Sequence, residues 1–163
     1  MGLEIGVATP AQRADWLRLR GALWPGPEDE HAREVDSLIA GGEGDWPQVA
    51  LLAQVGGAVV GLAEVSVRPC AEGCETTDVG YLEGWFVVPE LRGTGVGRAL
   101  LEAAQDWARE RGCAEFASDT EHDNDLSRRA HLACGFEDAG LVRCFVKSLE
   151  RRPGSVRNVQ PGG

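Results

Sequence analysis

Residues Arg92-Gly93-Thr94-Gly95-Val96-Gly97-Arg98 are built to hold an anion. Glycines at alternate positions let the main chain curl until successive N–H groups converge, and Arg92 and Arg98 add positive charge. The apolar-periodic stretch that follows, as far as Gly112, reads as an amphipathic helix, whose N-terminal N–H groups and dipole favour an anion further. No Lys-Ser or Lys-Thr follows, as a Walker loop requires, and the G-x-G-x-G spacing is not that of a dinucleotide fingerprint. A turn that needs its glycines for backbone reasons alone is the other reading of these residues.

Carboxylates form the second group. Glu83 lies in an otherwise apolar strand, Val79–Val88, where an unpaired charge is costly. An inward carboxylate awaiting a cationic ligand accounts for it, with exposure at a sheet edge as the alternative. Asp and Glu number 26 against 16 Lys and Arg, a formal net charge of −10. That balance argues against a nucleic-acid partner and suits a cationic small substrate, or serves solubility alone. Five cysteines form no Cys-x-x-Cys pair, and Cys70 and Cys74 have no second pair of ligands. They read as small buried hydrophobes in a reducing compartment, and no metal is expected.

The elements that must position these groups follow from periodicity and punctuation. Leu3–Val7 predicts a strand, and Thr9-Pro10-Ala11-Gln12 a capped start to a helix that ends near Trp24-Pro25. Glu28–Ile39 predicts a second helix with an acidic start, and Gly41–Pro47 a loop. Val49–Val55 and Ala58–Val67 predict a hairpin about Gly56-Gly57. The strand at 79–88 is interrupted at Gly84. Beyond the glycine turn and its helix come a short strand at Ala114–Ser118, a helix at Asn124–Cys134 and a last strand at Leu141–Leu149. The order βααβββαβαβ predicts an α/β fold: a mixed, mostly antiparallel sheet with helices on both faces. Residues 1–150 are expected to form one domain, and the polar residues 151–163 a disordered tail. No apolar run is long enough to span a bilayer, and the first residues lack the marks of a signal peptide. A cytoplasmic protein without a membrane partner is expected.

Arg-x-x-Gly-x-Gly after a strand ending Val-Val-Pro, then a helix, a strand and a helix ending in Gly-Phe, resembles the GCN5-related N-acetyltransferase (GNAT) superfamily. The resemblance implies acetyl-CoA as co-substrate, with Phe86, Val87 and Val88 along the pantetheine arm. It places Gly93, Thr94, Gly95, Val96, Gly97 and Arg98, with Arg92, around the pyrophosphate, and Asn124 near the thiol end. Leu23-Trp24-Pro25-Gly26, Tyr81-Leu82-Glu83-Gly84 and Ala117-Ser118-Asp119-Thr120 are together similar to bacterial aminoglycoside 6′-N-acetyltransferases. That narrower resemblance covers about Ile5 to Lys147. It implies transfer to the 6′-amine of a cationic aminoglycoside by direct attack in a ternary complex, and a homodimer.

By the same resemblance Asp119 positions the 6′-amine and takes its proton, directly or through water; a cap before the Asn124 helix is the alternative. Trp24 is either a plate for sugar rings or core packing. His31, behind Glu28, Asp29 and Glu30, belongs either to the drug site or to a solvated helix start. His131 stands seven residues after Asn124, where many acetyltransferases place a tyrosine that protonates the thiolate. It is a general acid, a partner near the thiol, or a satisfied helix histidine. Three departures stand out: no aromatic in Pro69–Glu72, Gly140 where an acid is expected (Glu137 or Asp138 would substitute), and Phe145 in place of a tyrosine. The rival readings are an acetyltransferase for another amine, such as a polyamine or a protein N-terminus, and a non-catalytic acyl-CoA sensor.

Overall fold

The computed structural model describes residues 2–42 and 46–149; the tail expected at 151–163 and part of the loop at 41–47 lie outside them. Five strands lie in chain order across one sheet: β1 (Leu3–Val7), β2 (Gln48–Val55), β3 (Ala58–Arg68), β4 (Val79–Val87) and β5 (Phe116–Ser118). The first four are antiparallel, and β5 runs parallel to β4, as a strand–helix–strand crossover requires. The hairpin turns at Gly56-Gly57, both at positive φ (58° and 81°), which two-residue turns need and glycine adopts without strain.

The predicted helices form as α1 (Arg13–Leu23), α2 (Glu28–Ile39), α3 (Val96–Arg109) and α4 (Asp125–Ala133). A short 3-10 turn, Pro10–Gln12, precedes α1, closed by the Gln12 N–H to the Thr9 carbonyl and by the Thr9 N–H to Gln12 Oε1.

Strand alternation divides the core between the two faces of the sheet. Leu51, Ala53, Val65 and Val67 pack with Val96, Leu100, Leu101, Ala104 and Trp107 of α3. Ala50, Leu52 and Leu62 pack on the other face with Trp16 and Leu19 of α1 and Val35 of α2.

Two expectations are corrected. Leu141–Leu149 is not a strand: it pairs with no strand among the described residues, and Leu141, Val142, Phe145, Val146 and Leu149 are exposed. The edge strand β5 is three residues long, too short a ladder for nine. The apolar content of 141–149 records a need for cover, not that this chain supplies it. The cysteines are not uniformly buried either: Cys113 is, whereas Cys70 and Cys144 are exposed and Cys74 and Cys134 lie between. All are free thiols, and the described residues hold no group of three or more His, Cys, Asp or Glu side chains able to bind a metal.

Candidate active site

The site starts from one extra residue in β4. Glu64 pairs with Gly84 and Val65 with Leu82, so Glu83 is a β-bulge. The bulge sends two consecutive positions to the α1/α2 face: the Glu83 side chain meets Ser66 and Arg68, and a Cβ on Gly84 would lie 2.5 Å from the Trp24 ring. It also ends the pairing with β5, which is confined to 80–82 against 116–118. Beyond Leu82, β4 keeps β3 on one side and turns an edge without a strand to the other, so main-chain groups there are open to an extended ligand.

That edge leads into the glycine turn. Gly93 and Gly95 have φ of 77° and 97°, a region that favours glycine, and a Cβ at either would meet nothing within 4 Å. The first bond of α3 runs from the Ala99 N–H to the Gly95 carbonyl, so the N–H groups of Val96, Gly97 and Arg98 lie ahead of the helical ladder. The first turn of α3 holds no acid. Arg92 Nε donates to the Val87 carbonyl at 3.0 Å, with its guanidinium 5.5 Å from the centre of the Phe86 ring. Arg98 Nη2 donates to the Ala133 carbonyl at 2.8 Å, tying α3 to the end of α4. Each exposed arginine is thus anchored through one nitrogen, with further donors to offer. Converging N–H groups, helix dipole and two guanidinium groups fit a pyrophosphate.

A polar cluster covers the α1/α2 face beside the bulge. Both oxygens of half-buried Glu83 are engaged: Oε1 accepts from Ser66 Oγ (2.5 Å) and Arg68 Nε (2.9 Å), and Oε2 from Arg68 Nη2 (2.5 Å). The Arg68 guanidinium lies 3.5 Å from the centre of the Tyr81 ring, and the Tyr81 hydroxyl donates to Asp119 at 2.8 Å. Burial, then the bond to Asp119, pushes that hydroxyl well above its ordinary pKa, so it remains a donor. Deeper lies Glu64, held by the Trp16 Nε1–H (2.6 Å) and 3.6 Å from Arg20. Burial pushes the Glu64 carboxyl upward, against the pull of Arg20 and the Trp16 N–H. Arg20 also donates to Glu34 and lies 5.2 Å from the Trp24 ring centre.

The match to the Acetyltransferase (GNAT) family model over residues 14–136 decides the family. The chain belongs to it. An "Aminoglycoside N(6')-acetyltransferase type 1" of Klebsiella aerogenes is 47% identical over 137 residues, covering 83% of this chain and 90% of that protein. The crystal structure of aminoglycoside antibiotic 6'-N-acetyltransferase AAC(6')-Ih from Acinetobacter baumannii superposes with a TM-score of 0.85 at 36% identity, covering 91% of this chain and all of that one (100%). AAC(6')-Iy in complex with a bisubstrate analog, CoA-S-monomethyl-acetylneamine, matches with a TM-score of 0.84 at 33% identity, over 91% of this chain and 99% of that chain.

In this GNAT chain the bulge brings Glu83 and Trp24 to one face, and the Tyr81 hydroxyl joins Asp119 to them. Asn124 rather than Asp119 caps α4: its side chain accepts the Ser127 N–H at 3.0 Å. His31 Nε2 lies 2.8 Å from the Trp24 carbonyl, linking α2 to the end of α1. Glu137 is exposed beyond α4, where its neighbour Asp138 pairs with Arg128. His131 lies between the diverging strands: Nε2 is 3.0 Å from Ser118 Oγ, Nδ1 is 2.8 Å from the Ser127 carbonyl, and the ring meets Trp85 edge-on.

Arg68, Ser66, Glu64 and Arg20 escaped the sequence reading. A signal was present, since Glu64, Ser66 and Arg68 alternate along an apolar strand, which puts all three on one face.

Proposed function

We propose that this GNAT enzyme transfers the acetyl group of acetyl-CoA to the 6′-amine of aminoglycosides, and so confers resistance to them. The observation that carries this reading is the bulge at Glu83. A single strand there offers an open edge running to an anion cradle, and a face bearing carboxylates and Trp24. Acetyl-CoA supplies the activated acyl group. The residues of Arg92 to Arg98 hold its pyrophosphate, and the edge of β4 at Phe86, Val87 and Val88 pairs with its pantetheine arm.

On the acceptor side, Asp119 orients the attacking amine and takes its proton, directly or through water, while Glu83 binds a substrate ammonium. Asp119 is exposed and accepts one hydroxyl, so lone pairs remain for an amine. The Ser127 carbonyl only accepts, which fixes a hydrogen on His131 Nδ1. Nε2 then accepts from Ser118 when the ring is neutral and donates when it is charged. In the second state the Ser118 hydroxyl turns to the Leu82 carbonyl, 3.2 Å away, where the strands part. To His131, placed where the strands part, we assign the delivery of a proton to the leaving thiolate. Attack is direct, in a ternary complex: Cys74, which packs against Tyr81 and Ala117, is a thiol that burial holds above its ordinary pKa, a poor setting for a nucleophile.

The enzyme works in the cytoplasm as a homodimer of one domain per chain, 1–150. The exposed apolar side chains of 141–149 support the dimer, because a second copy would remove them from water.

Thiol release from acetyl-CoA tests the reading, with kanamycin, tobramycin and spermidine as acceptors. Turnover with the two drugs and little with spermidine is expected. Faster turnover of spermidine would replace the drug by a polyamine, and turnover of drugs lacking a 6′-amine would overturn the regiochemistry. His131→Ala should lower kcat about 10²-fold or more if the ring is the acid; an unchanged kcat and pH profile would sink that role.

A further inference from the structure

A face proposed to receive polycations already holds a cation. Arg68 closes a two-toothed contact on Glu83 and lies 3.5 Å from the centre of the ring of Tyr81, the residue that donates to Asp119. The pair is no buried structural bridge, with side-chain exposures of 41% for Arg68 and 32% for Glu83. Bidentate geometry strengthens the pair, but at this exposure water screens it, so another ion pair can take its place. Glu83 also has a second support that is not exposed: Ser66, 5% accessible, donates to Oε1 from within the sheet. If the guanidinium left, Ser66 would keep the carboxylate aimed at the same place.

Resting on the acceptor reading above, we infer that Arg68 is a displaceable internal counter-ion that sets the acceptor specificity of this site. In the empty enzyme it satisfies Glu83, so the half-buried carboxylate is never left alone. A substrate ammonium must replace it on Oε2, and the guanidinium then swings toward solvent. The exchange returns one ion pair for one ion pair, so an acceptor with a single ammonium gains little from it. An acceptor gains when it carries a second amine within reach of Asp119, engaging both carboxylates at once. Arg68 thereby favours polyamino-sugars over simple amines by penalising the latter, a specificity device of the repulsive kind.

Two measurements test this. The first is the Arg68 Nε–H signal in enzyme labelled with 15N-arginine, identified by its loss in Arg68→Lys. It should be protected from exchange in the free enzyme and lose that protection at saturating tobramycin. The second is kinetic. Arg68→Met should lower KM for mono-amine acceptors such as cyclohexylamine about 3- to 10-fold more than KM for tobramycin, compressing the discrimination between them. The KM for acetyl-CoA should stay unchanged. Protection that persists at saturating tobramycin would overturn the proposal, as would a raised KM for tobramycin with unaltered discrimination. Either result would leave Arg68 as a fixed support of Glu83. Absence of any wild-type turnover of tobramycin would instead overturn the acceptor reading itself.

Discussion

Replacing Gly84 by alanine adds one methyl group at the point where the face of β4 meets Trp24. The new Cβ would lie 2.5 Å from Trp24 Cη2 and 2.9 Å from both Trp24 Cζ2 and Leu23 Cδ2. Contacts under 3 Å do not persist, so the indole must move, although His31 contacts the Trp24 main-chain carbonyl and Arg20 lies 5.2 Å from the ring centre. Two effects oppose each other. Loss of a glycine restricts the unfolded chain and stabilises by about 0.4–1 kcal/mol, whereas overpacking a fitted contact costs about 1–3 kcal/mol. Overpacking wins, and a net loss of about 1–2 kcal/mol lowers Tm by about 2–8 °C in a domain of this size. If Trp24 is the plate for the acceptor's rings, its displacement forfeits a contact of about 0.5–1.5 kcal/mol, which raises KM for the acceptor about 2- to 12-fold. The KM for acetyl-CoA should not change, because the methyl group points away from the open edge of β4. Thermal melts and steady-state kinetics in both substrates read these effects. A wild-type Tm with an unchanged acceptor KM would refute the placement of Trp24. An equal rise in both KM values would refute the separation of edge from face.

Three further outcomes are expected. Gly95→Ala forces a side chain into a φ of 97°, a strain of about 1–3 kcal/mol, and should weaken CoA binding in calorimetry while sparing the acceptor KM; unaltered CoA affinity would refute the cradle. Asn124→Ala removes the cap on the Ser127 N–H and should cost about 0.5–2 kcal/mol in urea unfolding, a loss that Asn124→Asp largely restores. Glu64 is lifted above its ordinary 4.5 by burial, so its protonated form favours the folded state. Its contribution is full below 4.5 and is lost as pH rises through the higher folded value. Stability measured upward from pH 4.5 should therefore fall less steeply in Glu64→Gln than in the parent, and parallel curves would contradict the assignment.

What was legible in the sequence, and what was not, has a physical pattern. Local signals carried the elements: Gly56-Gly57 announced the hairpin and Gly112 the end of α3, because each marks a backbone conformation. The interruption expected at Gly84 is not there: β4 runs unbroken from Val79 to Val87, its bulge is Glu83, and Gly84 is kept small by the Trp24 ring. The paired strand at 116–118 is shorter than the predicted 114–118, since ladder length depends on the neighbour and not on the segment. Leu141–Leu149 failed for the same reason on a larger scale. At the site, Glu83 was readable as a charge out of place, while Trp24 was read as a sugar plate or core packing with nothing to tie it to the face of Glu83. Its partners were not readable: Arg68 ends a strand, where an exposed arginine is unremarkable, and only the bulge reveals that it reaches back to Glu83. Asn124 was credited to the cofactor on resemblance, while its bond to the Ser127 N–H is a helix cap.

The bulge in β4 also bears on how such an enzyme changes over generations. Its open edge presents main chain, which is the same for almost any residue, so point mutations seldom alter what pairs there unless they strike a glycine of the turn. Its other product is a face made of side chains, Glu83 with Ser66, Arg68 and Tyr81 around it, and every one of these is a codon away from something else. On the proposed function, donor and acceptor stand on one strand under unequal mutational exposure. Selection by a new acceptor could then redraw the face, residue by residue, without touching the edge proposed for the acetyl donor.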